Sequence, residues 1–90
     1  MVKQARILIE GRLQGINFRL NSQLCAQKLG LTGFVRTLSD GRIEIEAQGD
    51  EQQLEELLSW CQKKPHSDFI KSIFYRFDDV EKTYTDFSVR

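Results

Sequence analysis

Residues 11–19 read GRLQGINFR, and they separate a short apolar segment at residues 7–9 from a helix predicted to begin at Phe18. Two glycines, Gly11 and Gly15, bracket this loop. We expect them to supply the positive φ values and the close backbone approach that a concave loop needs. In such a loop, followed by the N-terminus of a helix, successive backbone N–H groups converge on one point. The segment therefore predicts a binding site for an anion.

Arg19 falls in the first turn of that helix, where the macrodipole disfavours a positive charge. A guanidinium at this position presents a planar set of N–H donors that matches the oxygens of a phosphate group. The pattern GxxxxGK(S/T) of nucleotide-binding P-loops is absent. The spacing alone fits an ordinary strand–turn–helix with a surface arginine equally well, so both interpretations stay open at this point.

The segments that flank the loop have regular apolar spacing. Residues 5–11 alternate in the manner of a half-buried strand, with Ala5, Ile7 and Ile9 on one face. The helix predicted over residues 18–29 carries a mostly apolar stripe at steps of three and four residues, namely Phe18, Ser22, Cys25, Ala26 and Leu29. Gly30 is expected to cap the C-terminus of this helix.

Leu20 and Leu24 form a pair on the opposite side of the same helix. We interpret them as isolated exposed leucines, which are common on protein surfaces. Because the pair lies beside the anion loop, a small contact surface for a partner is the alternative.

Residues 31–49 predict a β-hairpin whose turn contains Ser39, Asp40 and Gly41. In its second arm we expect alternate residues to face the core, namely Ile43, Ile45 and Ala47. The residues between them are expected to face water, namely Arg42, Glu44 and Glu46.

The remaining segments complete an alternation of strands and helices. Asp50 is expected to cap a second helix over residues 51–63, which Pro65 ends. Its core stripe is Leu54, Leu57, Leu58 and Cys61. Residues 69–77 predict a strand from their aromatic and β-branched content, and residues 84–89 predict a short final strand.

This order, β-α-β-β-α-β with an additional C-terminal strand, predicts an α+β ferredoxin-like sandwich. We expect two helices on one face of an antiparallel sheet, and a single domain over residues 1–90.

Composition limits the class of protein. The 13 Lys and Arg residues balance the 13 Asp and Glu residues, whereas nucleic-acid binding normally requires a basic excess. No apolar run approaches the roughly 20 residues that span a bilayer, and the N-terminal residues do not resemble a signal peptide. We therefore expect a cytoplasmic protein, and at this size and charge a monomer. Cys25 and Cys61 have no metal-site spacing and are predicted to be free thiols, with a disulfide as the alternative.

Several of these motifs together resemble the acylphosphatase family. GRLQGINFR at residues 11–19 is similar to that family's GRVQGVxFR signature. LGLTGFVRTLSDGRIEIEAQGD at residues 29–50 is similar to its LGLxGWVxNxxDGxVEVxAxGD. Trp60 and the closing DFSVR at residues 86–90 also fall where the family has them. The resemblance covers nearly the whole chain, and the family's fold is the one predicted above.

The resemblance implies hydrolysis of a small acyl phosphate to a carboxylate and inorganic phosphate, without a metal or a cofactor. Arg19 would neutralise phosphoryl oxygens, as the loop arginine of the family does. Backbone amides would complete the phosphate-binding loop, and the residues that supply them are Gln14, Gly15, Ile16, Asn17 and Phe18. No serine, cysteine or histidine nucleophile is required, and His66 beside Pro65 is interpreted as a loop residue.

The chain departs from the family at the second catalytic position. Thr37 stands where the family has an asparagine that orients the attacking water. A threonine hydroxyl donates and accepts hydrogen bonds, but from a shorter and stiffer side chain than an asparagine amide. We therefore expect phosphate binding to persist and turnover to be reduced. Asn17 and Asn21 are candidates to supply an amide near the site, although a loop or N-cap role for Asn17 and a solvated helix position for Asn21 are favoured.

Two other functions remain open. A catalytically silent module that binds an anion or a partner is the main alternative, supported by Thr37 and by the Leu20/Leu24 pair. RNA binding on the sheet is weaker, because the sheet has no basic and aromatic RNA-binding motif and its second hairpin arm is predicted to expose glutamates.

Overall fold

The computed structural model describes residues 2–90. The strands are β1 (Val2–Gly11), β2 (Thr32–Thr37), β3 (Ile43–Asp50), β4 (Ile70–Asp78) and β5 (Phe87–Val89). The helices are α1 (Phe18–Lys28) and α2 (Glu51–Cys61), and short 3-10 turns occupy Gln14–Ile16 and His66–Phe69. The predicted elements are all present, with bounds that differ by a few residues.

The five strands form one sheet in the order β4-β1-β3-β2-β5. The pairs β1·β3, β1·β4 and β2·β3 are antiparallel, as predicted, whereas β2·β5 is parallel. The ferredoxin-like fold is confirmed, but the prediction of a purely antiparallel sheet is wrong at this edge, and the last strand is shorter than residues 84–89.

The parallel pair follows from the path of the chain after β4. Because β4 runs antiparallel to β1, it ends at the side of the sheet where β1 and β2 begin. Residues 79–86 then cross to the far edge, and β5 enters beside the start of β2, where the N–H of Gly33 donates to the carbonyl of Asp86 (2.7 Å). The last strand therefore runs in the same direction as β2.

Both helices cover one face of the sheet and enclose the core. The predicted stripe of α2 is buried throughout, and α2 begins with a capping box between Asp50 and Gln53. In α1 the buried residues are Phe18, Ser22 and Ala26, while Cys25 is half-buried, as is Leu29 directly after the helix. Leu20 and Leu24 are 51% and 50% exposed, as predicted.

The ends of the helices and the cysteines also agree with expectation. Gly30 has a φ of +77° immediately beyond α1, which is the left-handed conformation expected of a C-terminal glycine. Cys25 and Cys61 are free thiols. Burial raises the pKa of both thiols, so neither is an activated nucleophile.

No helix within residues 2–90 is long and apolar enough to cross a membrane.

The face of the sheet without helices is not simply solvated. Glu44 was expected to face water but is only 3% exposed, Gln48 only 4%, and Glu46 is half-buried. The crossing segment covers this face: Tyr84 donates its backbone N–H to Gln48 (3.2 Å) and its hydroxyl to Glu46 (2.6 Å). Glu44 itself pairs with Arg6 and Arg36 of the two neighbouring strands. The prediction failed because alternation identifies the face on which a residue lies, not the groups that cover it there.

Candidate active site

A cleft of about 980 Å³ lies where β1 leads into α1, beside the turn that joins β2 to β3. Six of the seven residues predicted for the site line this cleft, namely Gln14, Gly15, Asn17, Phe18, Arg19 and Thr37. Ile16 does not line it, because its side chain packs against the hydrophobic core. The loop and the hairpin, which are distant in sequence, therefore form opposite parts of one site.

The loop begins at an irregularity in β1. The register between β1 and β4 shifts between Glu10 and Gly11, which marks a β-bulge. A Cβ atom on Gly11 would lie 2.2 Å from the carbonyl oxygen of Phe69, so only glycine permits this approach. The same carbonyl accepts a hydrogen bond from the N–H of Arg12 at 2.8 Å. The predicted close backbone approach is confirmed at Gly11.

The predicted positive φ values at Gly11 and Gly15 are wrong. The left-handed residue of the loop is Asn17, with φ +53° and ψ +42°. Asparagine adopts this conformation more readily than other non-glycine residues. Because Asn17 follows the 3-10 turn Gln14–Ile16, the backbone changes from a right-handed to a left-handed conformation, which forms a concave nest of N–H groups. The Asn immediately before the helix was the available sequence signal.

The N-terminus of α1 adds further donors. Its first hydrogen bond runs from the N–H of Asn21 to the carbonyl of Asn17 (3.0 Å). The N–H groups of Phe18, Arg19 and Leu20 precede this bond and have no acceptor within the helix. The amide of Ile16, in contrast, donates to the carbonyl of Leu13 at 3.4 Å. Among the predicted residues 14–18, Ile16 therefore already has an acceptor for its N–H, and Arg19 and Leu20 add donors beyond that range.

Aromatic packing fixes the junction between loop and helix. The Phe18 side chain is 2% exposed, and its ring centroid lies 5.4 Å from that of Trp60 and 5.8 Å from that of His66. The Nε2 atom of His66 contacts the carbonyl oxygen of Trp60. His66 does not line the cleft and is the first residue of the 3-10 turn His66–Phe69.

The two predicted catalytic side chains are exposed and available at the cleft. Within residues 2–90 the Arg19 guanidinium has neither a hydrogen bond nor an ion pair, and the Thr37 hydroxyl has no hydrogen bond. The backbone carbonyl of Arg19 accepts a hydrogen bond from the buried Ser22 hydroxyl at 2.8 Å. This bond fixes the helix turn that carries Arg19 and leaves its side chain free for an anion.

The two candidate asparagines have different surroundings. Asn17 lines the cleft together with Thr37. Asn21 lies outside the cleft and donates a hydrogen bond from its side-chain amide to the carbonyl of Ile16 at 3.2 Å, so it stabilises the loop without facing the cleft.

Sequence reasoning did not include several polar residues that line the cleft. Arg12 lies within the quoted loop, and Gln23 is one turn of α1 beyond Arg19. Asp40 and Arg42 form an ion pair at 2.8 Å in the hairpin turn. The hydrogen bond from the backbone N–H of Arg42 lowers the pKa of Asp40, and its side chain adds to this effect. Within residues 2–90, no three His, Cys, Asp or Glu side chains cluster in a way that could hold a metal ion.

Comparisons with known proteins agree on one family over almost the whole chain. The acylphosphatase family model matches residues 5–89. An acylphosphatase of Methylococcus capsulatus is 38% identical over 88 residues, which are 98% of this chain and 96% of that protein. An acylphosphatase of a Synechococcus species is 45% identical over 73 residues, or 81% of each protein. The crystal structure of acylphosphatase from Bacillus subtilis aligns with a TM-score of 0.89 and 31% identity, and the match covers 100% of this chain and 99% of that one. On this evidence the chain belongs to the acylphosphatase family.

Proposed function

We propose that this chain hydrolyses acyl phosphates to a carboxylate and inorganic phosphate, by attack of water on a phosphoryl group held by Arg19 and by the phosphate-binding loop of residues 14–18. The observation that carries the proposal is the presence in one cleft of Arg19, Thr37 and the donors at the start of α1. The side chain of Arg19 has no partner within residues 2–90, so it is available for a ligand. Membership of the acylphosphatase family supports the same reaction.

The reaction requires little of the protein beyond binding the phosphoryl group and orienting the attacking water. An acyl phosphate is a mixed anhydride, so the bond from phosphorus to the acyl oxygen breaks as the water oxygen bonds to phosphorus. The carboxylate leaves as a weak base and needs no proton from an acid. Catalysis then consists of holding the phosphoryl group in line with the water and stabilising its oxygens. Arg19 and the N–H groups of Phe18 and Leu20 supply donors for this purpose.

We assign the attacking water to Thr37, which occupies the position where the family motif has asparagine. Its hydroxyl can accept a hydrogen bond from the water and donate one to a phosphoryl oxygen. Thr37 is the last residue of β2 and pairs with Ile43 of β3, so its backbone is fixed by the hairpin. Because the side chain is short and restricted about χ1, the water is held less closely than by an amide.

The cellular setting belongs to the same proposal. The small size of the chain and its balance of 13 basic and 13 acidic residues support a monomer as the active form. The free thiols of Cys25 and Cys61 support a reducing compartment such as the cytoplasm. The small-molecule partners are an acyl phosphate and, after turnover, inorganic phosphate.

The deciding experiment is the initial rate of benzoyl phosphate hydrolysis by the wild type, Arg19→Gln and the control Arg76→Gln. Arg76 is exposed on β4 and pairs with Asp78, outside the cleft. We expect Arg19→Gln to lower kcat/KM on the order of 100- to 1,000-fold. This is the usual loss when a hydrogen-bond donor to the charge that develops in the transition state is removed. The control should retain wild-type activity, and both variants should keep the wild-type melting temperature.

Two results would contradict the proposal. Equal rates for the wild type and Arg19→Gln would show that the loop arginine does not hold the reacting group. No turnover above background, with inorganic phosphate still bound through Arg19, would instead favour the silent anion-binding module. The observation that favours this second function is the threonine at position 37, where the family motif has asparagine.

A further inference from the structure

The cleft is larger than the phosphoryl group requires. Its volume of about 980 Å³ lies at the upper end of the roughly 300–1,000 Å³ typical of small-molecule sites. Its lining extends beyond the phosphate-binding loop and Arg19, to Arg12, Gln23 and the turn around Arg42. This remaining part of the cleft can hold the acyl portion of a substrate.

Arg12 is held in place by its backbone. On one side, its N–H donates to the carbonyl of Phe69 (2.8 Å), directly after the bulge at Gly11. On the other side, Leu13 is buried in the core and 3% exposed. Bulges beside active sites commonly redirect a side chain, and here the redirected residue is an exposed arginine at the cleft.

The charges of the cleft leave Arg12 without a compensating partner. Within residues 2–90 its guanidinium has no hydrogen bond or ion pair, as is the case for Arg19. The third arginine, Arg42, is neutralised by Asp40 at 2.8 Å. The other carboxylate, Glu10, accepts a hydrogen bond from the hydroxyl of Ser72 on β4 (3.3 Å), which holds it toward the edge strand.

We infer that Arg12 forms a second anion subsite, so that the preferred substrates are acyl phosphates whose acyl group carries a further negative charge, either a carboxylate or a phosphate. This inference rests on the proposed function, in which Arg19 already binds the reacting phosphoryl group. A guanidinium binds either group through two parallel hydrogen bonds, and its charge persists at any physiological pH. Arg12 is therefore a specificity residue and does not contact the reacting atoms.

The test compares two substrates of equal length, hexanoyl phosphate and the monophosphate of hexanedioic acid, which has a carboxylate in place of the terminal methyl group. We expect Arg12→Gln to lower kcat/KM for the carboxylated substrate roughly five- to tenfold, mainly through KM, because an exposed charge-assisted hydrogen bond is lost. Activity on hexanoyl phosphate should not change, and Arg76→Gln should behave as the wild type with both. Raising the ionic strength should reduce the wild-type preference.

The inhibition constant of inorganic phosphate separates this role from a role at the phosphoryl group itself. If Arg12 binds the second anion, Arg12→Gln leaves that constant unchanged. An equal loss of activity on both substrates, together with weaker inhibition by phosphate, would overturn the inference. So would an unchanged ratio between the two substrates.

Failure of the proposed function would give a different pattern. If the wild type hydrolyses neither substrate, calorimetry with pentylphosphonate and 5-phosphonopentanoate still decides the inference, since these differ in the same terminal group. Tighter binding of the carboxylated phosphonate that is lost in Arg12→Gln would support the subsite without any catalysis. Equal affinities in the wild type would overturn it.

Discussion

We propose that Thr37 limits the rate of the proposed reaction. It lies at the end of β2, lines the cleft with Arg19, and its hydroxyl has no hydrogen-bond partner within residues 2–90. An asparagine here would place both a carbonyl and an amide group on a longer side chain. Displacement of a reacting group by about 1 Å can cost on the order of 100-fold in rate. We therefore expect Thr37→Asn to raise kcat for benzoyl phosphate by about 10- to 100-fold, with little change in KM.

Two further variants give this measurement its control. Thr37→Ala should lower kcat below the wild type, because no group then holds the water. Asn17, which lines the same cleft, is the competing source of an amide. A Thr37→Ala enzyme with full activity, combined with an inactive Asn17→Ala enzyme, would transfer the role to Asn17.

The sequence predicted which candidate residues lie together better than it predicted their backbone conformations. Arg19, Thr37 and Asn17 lie in one cleft as expected. The residue that adopts the left-handed conformation is Asn17, whereas glycines were expected to do so. Glycine has two separate uses, positive φ and close approach, and a sequence does not distinguish them. At Gly11 the use is close approach to Phe69, a residue 58 positions away that local reasoning cannot identify.

The loop between β1 and α1 has one glycine that the fold requires and one that it does not. A Cβ on Gly11 would lie 2.2 Å from the carbonyl of Phe69, whereas a Cβ on Gly15 would meet no atom within 4 Å beyond its chain neighbours. We expect Gly11→Ala to lower the free energy of unfolding by about 1–3 kcal/mol, the usual cost of overpacking. Chemical denaturation at neutral pH measures this change.

Gly15→Ala is the matched control, since it adds the same methyl group in open space and at a φ that is not positive. Its stability should be unchanged or raised by up to about 1 kcal/mol, because alanine restricts the unfolded chain. Equal destabilisation by both substitutions would mean that the loop tolerates no Cβ atom at all, and would contradict the specific role of Gly11.

Among the elements, periodicity predicted the helices and the central strands, and failed where distant segments meet. The buried stripe of α2 could be identified because leucines at helical spacing need no information from elsewhere. The direction of β5 and the burial of Gln48 depend on residues 79–86, whose path crosses the helix-free face. A polar turn segment contains no periodic signal for such a path, so both features became visible only in three dimensions.

At the scale of the whole molecule, an ionic group on the helix-free face links three of the five strands. Glu44 of β3 accepts hydrogen bonds from Arg6 of β1 (2.8 Å) and Arg36 of β2 (2.6 Å), and its side chain is 4% exposed. Burial alone would raise the pKa of Glu44, but the hydrogen bonds and charges of the two arginines outweigh it, and the pKa lies below its ordinary value. The charged form is therefore the one that the folded state favours.

This lowered pKa gives the stability a defined dependence on pH. Because the folded-state pKa is below the unfolded value of about 4.3, the contribution of Glu44 is fully present above that value. It is lost as the pH falls through the folded-state pKa. Glu44→Gln should lower the free energy of unfolding at pH 7 by about 1–2 kcal/mol, a value reduced by the partial exposure of both arginines. Its stability should also decline less steeply than that of the wild type below pH 5.

The control for this measurement is Glu55→Gln, which changes an exposed glutamate on α2 that has no hydrogen bond or ion pair within residues 2–90. Denaturant titrations from pH 7 down to pH 3 should give the same curve for this variant and the wild type. Because the three strands joined by Glu44 include β2, which carries Thr37, loss of the ionic group should also lower the melting temperature of the fold that supports the active site. If Glu44→Gln and the wild type lose stability in parallel between pH 5 and pH 3, the ionic group does not couple folding to pH, and other carboxylates account for acid unfolding.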